Sequence, residues 1–206
     1  MTSKRIFMIG QSQNSSLNKQ VIEEARKFRD ILILNFEEHY LNLTYKGYGM
    51  LEYVNKYCKN LKCVQKTDTD ATVNVKGLEK LCNALPENEH IITGMVWHKL
   101  GVSRDPNGKH YIPPYVYPNE YYPDFATGTA YLLSGYHIAQ RMLDSLRNNT
   151  PFFTSGNFRH VNEDALFTGM VRESARIKLQ DIGGYMCCIK SHGVSYYLLL
   201  FMNLLA

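Results

Sequence analysis

Along the chain, short apolar runs alternate with segments whose apolar residues recur at helical spacing. "RIFMIG" (5–10) is a run of strand length, and it is followed by "SSLNKQVIEEARKF", where a serine cap precedes Leu17, Val21, Ile22, Ala25 and Phe28. Those positions share one face of a helix, which predicts an amphipathic helix with that stripe turned inward. "DILILNF" (30–36) is again a strand. A second amphipathic helix is predicted near 44–57, then the strand "KCVQKTD", the short β-rich run "TVNV", a helix near 76–84 and the strand "HIITGMVW". After residue 124 come the strand "TGTAYLLS", a helix over about 135–147, and "NEDALFTGMVRESA", a loop feeding a helix. Strands that alternate with helices predict an α/β domain with a largely parallel sheet.

The segment from Gly101 to Asp124 breaks this rhythm. It holds most of the chain's prolines and many tyrosines, "SRDPNGKHYIPPYVYPNEYYPD". So long a connection in a compact domain is usually functional, and its tyrosines predict an ordered loop. The C-terminal "YYLLLFMNLLA" is apolar but shorter than a membrane span, and reads as a buried terminal helix or strand, or as an end left by truncation. The N-terminal run is too short for a signal peptide's apolar region, so no secretory address or anchor is visible.

Composition narrows the classes. With 206 residues, 45% of them hydrophobic and 20% charged, the chain suits one domain with a sizeable core. Its formal charge of +4 is scattered rather than clustered, which argues against a nucleic-acid partner. Five cysteines show no metal-finger spacing and leave the redox compartment open. Sequons at Asn14, Asn42 and Asn148 carry weight only if the chain enters the secretory pathway.

Candidate chemistry begins at "KTDTDATVNV". Asp68 and Asp70 follow a predicted strand, and residues two apart on an extended backbone point to the same side. Ligands of open α/β sheets bind beyond the carboxyl ends of strands, where two hard carboxylates suit Mg²⁺ or Mn²⁺ bridging to a diphosphate. On the motif alone a polar turn after the strand is the simpler account. A phosphoryl-transfer enzyme is disfavoured, because no G-x-x-x-x-G-K-[ST] loop is present.

Longer blocks give the pair a context. "RIFMIG", "DILILNFEEHYLNLTYK", "CVQKTDTDATVNV", "GKHYIPPYVYPNEYYPDFATGTAYLLS" and "NEDALFTG" run in order over nearly the whole chain. In them the chain resembles the β-1,3-galactosyltransferase-like glycosyltransferases, the inverting group that includes β-1,3-N-acetylglucosaminyltransferases and fringe-type enzymes. The resemblance implies a GT-A nucleotide-diphosphosugar transferase fold with a mixed, mostly parallel sheet flanked by helices. It implies one catalytic domain over 1–206, a UDP-sugar donor, Mn²⁺, a glycan acceptor on protein or lipid, and the lumenal side of the Golgi membrane.

Residue by residue, the family's acidic motif falls on Asp68, Thr69 and Asp70, so its central carboxylate is missing here. Lys66 and Thr67 match the lead-in on the donor side, although Lys66 also reads as a solvated charge at a strand end. Glu163 and Asp164 match the block whose aspartate acts as general base. An inverting transfer needs such a carboxylate to take the acceptor hydroxyl's proton. Without the resemblance, both acids read as a helix start. With the resemblance, Glu163 would orient the acceptor or a neighbouring group. His192 resembles the histidine that completes the metal site with Asp68 and Asp70. Gly128 and Thr129 fall in a glycine-rich block near the acceptor, where a tight turn is the plainer account. Tyr122 and Tyr131 would stack a sugar face or simply pack, and Trp97 reads as core or cleft wall. His110 stands where the family usually has tryptophan.

Relative to full-length members, the chain lacks the anchor, the stem, a first strand and an arginine-rich segment. The resemblance therefore leaves two readings open: an active transferase, or an inactive binding or folding partner, including a truncated copy.

Overall fold

The computed structural model describes residues 2–153, 156–182, 187–188 and 198–204. The elements in chain order are β1 (Thr2–Gln11), α1 (Ser15–Phe28), β2 (Ile31–Glu37), a 3₁₀ turn (Tyr40–Asn42), α2 (Leu43–Tyr57), β3 (Cys63–Asp68), β4 (Ala71–Thr72), α3 (Val75–Ala84), β5 (Ile91–Trp97) and β6 (Phe125–Ser134). There follow α4 (Ile138–Asn149), a 3₁₀ turn (Phe158–His160), a π-helical segment (Ala165–Val171) continued by one α-turn (Arg172–Ser174), β7 (Lys178–Asp181), β8 (Cys187–Cys188) and β9 (Leu198–Leu204).

Seven strands form one sheet in the order β2-β1-β9-β3-β6-β5-β7, and β4 and β8 pair separately. The expectation of a mostly parallel sheet is corrected here. Only β1–β2 and β5–β7 are parallel, whereas β1–β9, β9–β3, β3–β6 and β6–β5 are antiparallel. The reason is an interleaving. β1, β2, β3, β5 and β7 all run one way, as helical crossovers require, but β9 and β6 run the other way and slot between them. Periodicity reports that a strand exists and which way a crossover returns it; it does not report which strand will be its neighbour.

Alternation along the strands divides the core. Val64, Ile92 and Leu133 join Met50, Leu51, Met142, Leu143, Leu146 and Phe167 on the face covered by α2, α4 and the π-helical segment. Their neighbours Cys63, Ile91 and Leu132 face the other way, against Leu78, Cys82 and Leu85 of α3. A Cys63–Cys82 disulfide ties α3 to the sheet within that second cluster. Asn74 caps α3 by accepting from Gly77 N at 3.0 Å, which is why the predicted strand "TVNV" stops after Thr72.

The helix over Ser15–Phe28 forms as its pattern predicts, capped by Asn14, which accepts from Ser16 N at 2.9 Å. Its apolar stripe is not core, however. Nothing in α1 is buried, and Leu17, Ile22 and Phe28 are exposed. The helix packs along β2, the edge strand, rather than over the sheet centre. Of the sequon asparagines, Asn14 and Asn148 are exposed, while Asn42 is buried and donates through Nδ2 to Glu37 O at 2.8 Å.

The loop between β5 and β6 is ordered, as its tyrosines suggest. Arg104 lies inside its curve and donates to the carbonyls of Ile112 (2.6 Å), Tyr117 (2.7 Å) and Asn119 (2.8 Å). Ile112 is buried, and Tyr117 stacks on Tyr122 with centroids 5.5 Å apart.

Candidate active site

β3 and β6 are antiparallel, with Thr67 opposite Ala130, so the end of β3 meets the beginning of β6 at one edge of the sheet. There a cleft of about 590 Å³ opens. Its lining includes Lys66, Asp68 and Asp70 from the β3 end, Gly128 and Thr129 from β6, Tyr122 from the long loop, and Glu163 and Asp164 before the π-helical segment. Positions almost a hundred residues apart thus converge on one space.

Lys66 is the centre of the floor. Its side chain points to the same sheet face as Val64, and it is only 3% exposed, so it is not a solvated strand-end charge. Its Nζ donates to Asp68 Oδ1 at 2.6 Å and to Gly128 O, and stands 3.9 Å from Glu163 Oε2. Burial works against its charge, but Asp68 and Glu163 outweigh that, and its pKa lies above the ordinary lysine value.

Glu163, 8% exposed, accepts from Tyr131 OH at 2.7 Å. Burial pushes its pKa up to about 7, against the pull of Lys66 and with the help of the Asp164 charge. Asp164 accepts from Gly128 N (2.9 Å) on Oδ2 and from Ala165 N (2.8 Å) on Oδ1. Its pKa is also raised, first by burial, with those backbone donors opposing. Asp164 caps the following segment, as a helix start would, and it also lines the cleft.

Two close approaches hold these acids in place. A Cβ at Gly128 would stand 3.3 Å from Asp164 Oδ2, and one at Gly47 of α2 would stand 2.7 Å from the Phe167 ring and 3.1 Å from Glu163 Oε1. At Gly47 a methyl would overlap the Phe167 ring, and at Gly128 it would make Asp164 give by a few tenths of an ångström. The seven-residue π-helical run is itself unusual, because π geometry occurs mostly as single turns, often at functional sites. Thr168 ties it to β6 and to its own start, its single hydroxyl proton shared between Ala126 O at 2.8 Å and Asp164 O at 2.7 Å.

The remaining candidates fall variously. Asp70 is exposed at the cleft, and Thr69 is half-buried between the two aspartates. Thr67 is fully enclosed, accepting from Gln65 Nε2 at 3.1 Å, and does not reach the cleft surface. Tyr122 lines the cleft with its ring stacked on Tyr117. Tyr131 has no exposed face for a sugar and serves Glu163 instead. Trp97 is a half-exposed cleft wall. His192 lies outside the described residues. Among the described residues no group of three or more His, Cys, Asp or Glu side chains is gathered for a metal.

Several contributors carried no sequence signal of their own. Lys46 of α2, 1% exposed, donates to Glu38 Oε1 at 2.6 Å, and Gly10 N donates to Glu38 Oε2 at 2.6 Å. This pair, with Lys46 buried and Glu38 half-buried, joins β1, the end of β2 and α2 behind the floor. At the mouth, Lys109, His110, Arg159 and His160 line the cleft; only His110 stood out in the sequence, as a replacement for tryptophan.

Comparison with known proteins agrees with the sequence resemblance. A family model described as Galactosyltransferase matches residues 1–182. Human beta-1,3-galactosyltransferase 2 is 37% identical over 177 residues, 84% of this chain and 40% of that protein. Mouse beta-1,3-galactosyltransferase 1 is 34% identical over 131 residues, 63% of this chain and 40% of that protein. Human beta-1,3-galactosyltransferase 5 is 27% identical over 179 residues, 87% of this chain and 54% of that protein. The chain spans between two fifths and somewhat over half the length of these relatives. With the match covering most of its length, the chain belongs to the galactosyltransferase family.

Proposed function

We propose that this chain carries the transfer site of an inverting, metal-dependent glycosyltransferase of GT-A type, moving galactose or an N-acetylhexosamine from a UDP-sugar to a glycan hydroxyl in β-1,3 linkage. The observation that carries the reading is the convergence of Lys66 and Asp68 with Glu163 and Asp164 on one cleft, with Asp70 at its mouth. Asp164 is the base. It takes the proton of the acceptor hydroxyl as that oxygen bonds to the anomeric carbon, while the bond to the UDP oxygen breaks and its electron pair leaves with UDP. Glu163, held between Tyr131 and Lys66, orients that end of the cleft.

Asp68 and Asp70 would hold Mn²⁺, with His192 as the third group implied by family resemblance. The fit is that of an ion needing few protein ligands: Asp70 is open to the cleft, and one Asp68 oxygen is engaged by Lys66. The ion would supply positive charge to the leaving diphosphate. Lys66, Asp68 and Thr69 belong to the donor side of this reading, and Gly128, Thr129 and Tyr122 to the acceptor side, while Thr67 is enclosed beneath the cleft and drops out of the donor set. The Cys63–Cys82 disulfide supports an oxidising compartment, as expected for the Golgi lumen. No helix among the described residues is long and apolar enough to cross a membrane.

A second reading, an inactive binding or folding partner, draws on the missing central carboxylate of the acidic motif. Transfer from UDP-galactose and UDP-N-acetylglucosamine to a glycan panel, in wild type and Asp164→Asn, separates the two. Wild-type transfer that falls about 10²–10⁴-fold in the variant, with UDP binding kept, is expected. Absence of wild-type transfer by a folded chain, with weak or no UDP binding, would favour the inactive partner.

A further inference from the structure

Charge along the cleft is sorted. Every carboxylate lining it comes from 68–70 or 163–164, while Lys109, His110, Arg159 and His160 are all exposed at its mouth. None of these four pairs with a carboxylate among the described residues. They are gathered around one segment, the 3₁₀ turn Tyr40–Asn42. Lys109 Nζ stands 4.0 Å over the Tyr40 ring, His110 meets the same ring edge-on with Nδ1 3.5 Å from the hydroxyl, and the Phe158–His160 turn packs against that segment. An exposed lysine is ordinarily a loose, solvated charge; here it is steered onto an aromatic face beside a second donor.

We propose that this mouth recognises an anionic saccharide acceptor, one bearing a sulfate or carboxylate on a sugar next to the reacting hydroxyl. The inference rests on the transferase reading and adds the acceptor's class to it. The floor, with Asp68, Glu163 and Asp164 around Lys66, repels a second anion, so the anionic group of the acceptor sits at the mouth while its neutral hydroxyl reaches Asp164. Gathered around the Tyr40–Asn42 turn, these basic side chains also concentrate such acceptors before they dock. Arg159 offers planar, paired N–H donors to sulfate or carboxylate, and Lys109 a point charge.

The test is equilibrium binding to the full chain, with UDP present, of N-acetyllactosamine, its 6-sulfated form and a glucuronate-terminated counterpart. At low salt the sulfated or the glucuronate-terminated sugar is expected to bind about tenfold more tightly than the neutral one, and whichever gains the preference identifies the group recognised. That preference should shrink with added salt and disappear in Lys109→Gln/Arg159→Gln, both exposed positions whose loss leaves the fold intact. Equal binding of all three sugars would overturn the proposal. So would a double variant that keeps the preference but loses UDP affinity, because the cations would then serve the donor. UDP binding in the same titrations reports separately on the transferase reading, since its absence in wild type would undo that reading whatever the acceptor preference.

Discussion

At the floor of the cleft, Lys66 and Glu163 are nearly sealed from solvent and each charge meets a partner: Lys66 has Asp68, Gly128 O and Glu163, and Glu163 has Tyr131. At its mouth, Lys109 and Arg159 stand in water, and the nearest organised neighbour of Lys109 is an aromatic ring. The floor therefore couples charge to folding, since removing one member strands the rest in a low-dielectric space. The mouth couples charge only to what arrives. Substitutions should divide the same way, with floor changes altering stability and chemistry together and mouth changes altering selectivity alone.

The sharpest break of that division is Lys66→Met. It leaves Glu163 without its countercharge, and a loss of roughly 3 kcal/mol in unfolding free energy is expected, read from denaturant melts. A change below about 0.5 kcal/mol would mean the floor is no more coupled than the mouth. Next is a pH effect. The folded-state pKa of Glu163 is raised to about 7 from 4.5, so the folded chain holds a proton there that the unfolded chain has released. Its stabilising contribution is full below about pH 4.5 and is lost as pH rises through about 7. Melting temperature should accordingly fall over that window, and Glu163→Gln, which keeps an acceptor for Tyr131, should flatten the slope.

Smaller in stability but telling in rate is Gly128→Ala. The new methyl would press on Asp164 Oδ2 at 3.3 Å, shifting the carboxylate by a few tenths of an ångström. A fall in transfer of about tenfold with an unfolding change within about 1 kcal/mol is expected, since misplacing a reacting group costs rate more than fold. Unchanged transfer would separate Asp164 from the chemistry. Least of all, Lys109→Gln and Arg159→Gln should leave stability within about 0.5 kcal/mol, as usual for exposed positions.

The same division governs what the sequence made legible. Asp68, Asp70, Glu163 and Asp164 are legible because they fall inside longer blocks that resemble the family; on their own motifs they read as a polar turn and a helix start. Their convergence, however, depends on β6 lying next to β3, and that pairing arises from reversed strands that no periodicity announces. Lys66 reads equally as a donor-side residue and as a solvated charge, because a single lysine after an apolar run carries no sign of being buried; beyond Asp68, the partners that permit burial lie 62 and 97 residues further along. Arg104 and the Lys46–Glu38 pair were hidden for the same reason, their partners being backbone carbonyls or a side chain on another element. In α1 the failure ran the other way. The apolar stripe was real, but the helix lies along an edge strand that leaves the stripe uncovered.

The central claim is that the cleft floor and Asp70 form a metal-dependent donor site, and calorimetric titration of UDP into the chain with and without Mn²⁺, repeated for Asp70→Ala, tests it most directly. The account predicts UDP binding that needs Mn²⁺ and disappears in the variant, with the melting profile of the variant unchanged. UDP binding indifferent to Mn²⁺, or no binding by a well-folded wild-type chain, would contradict it.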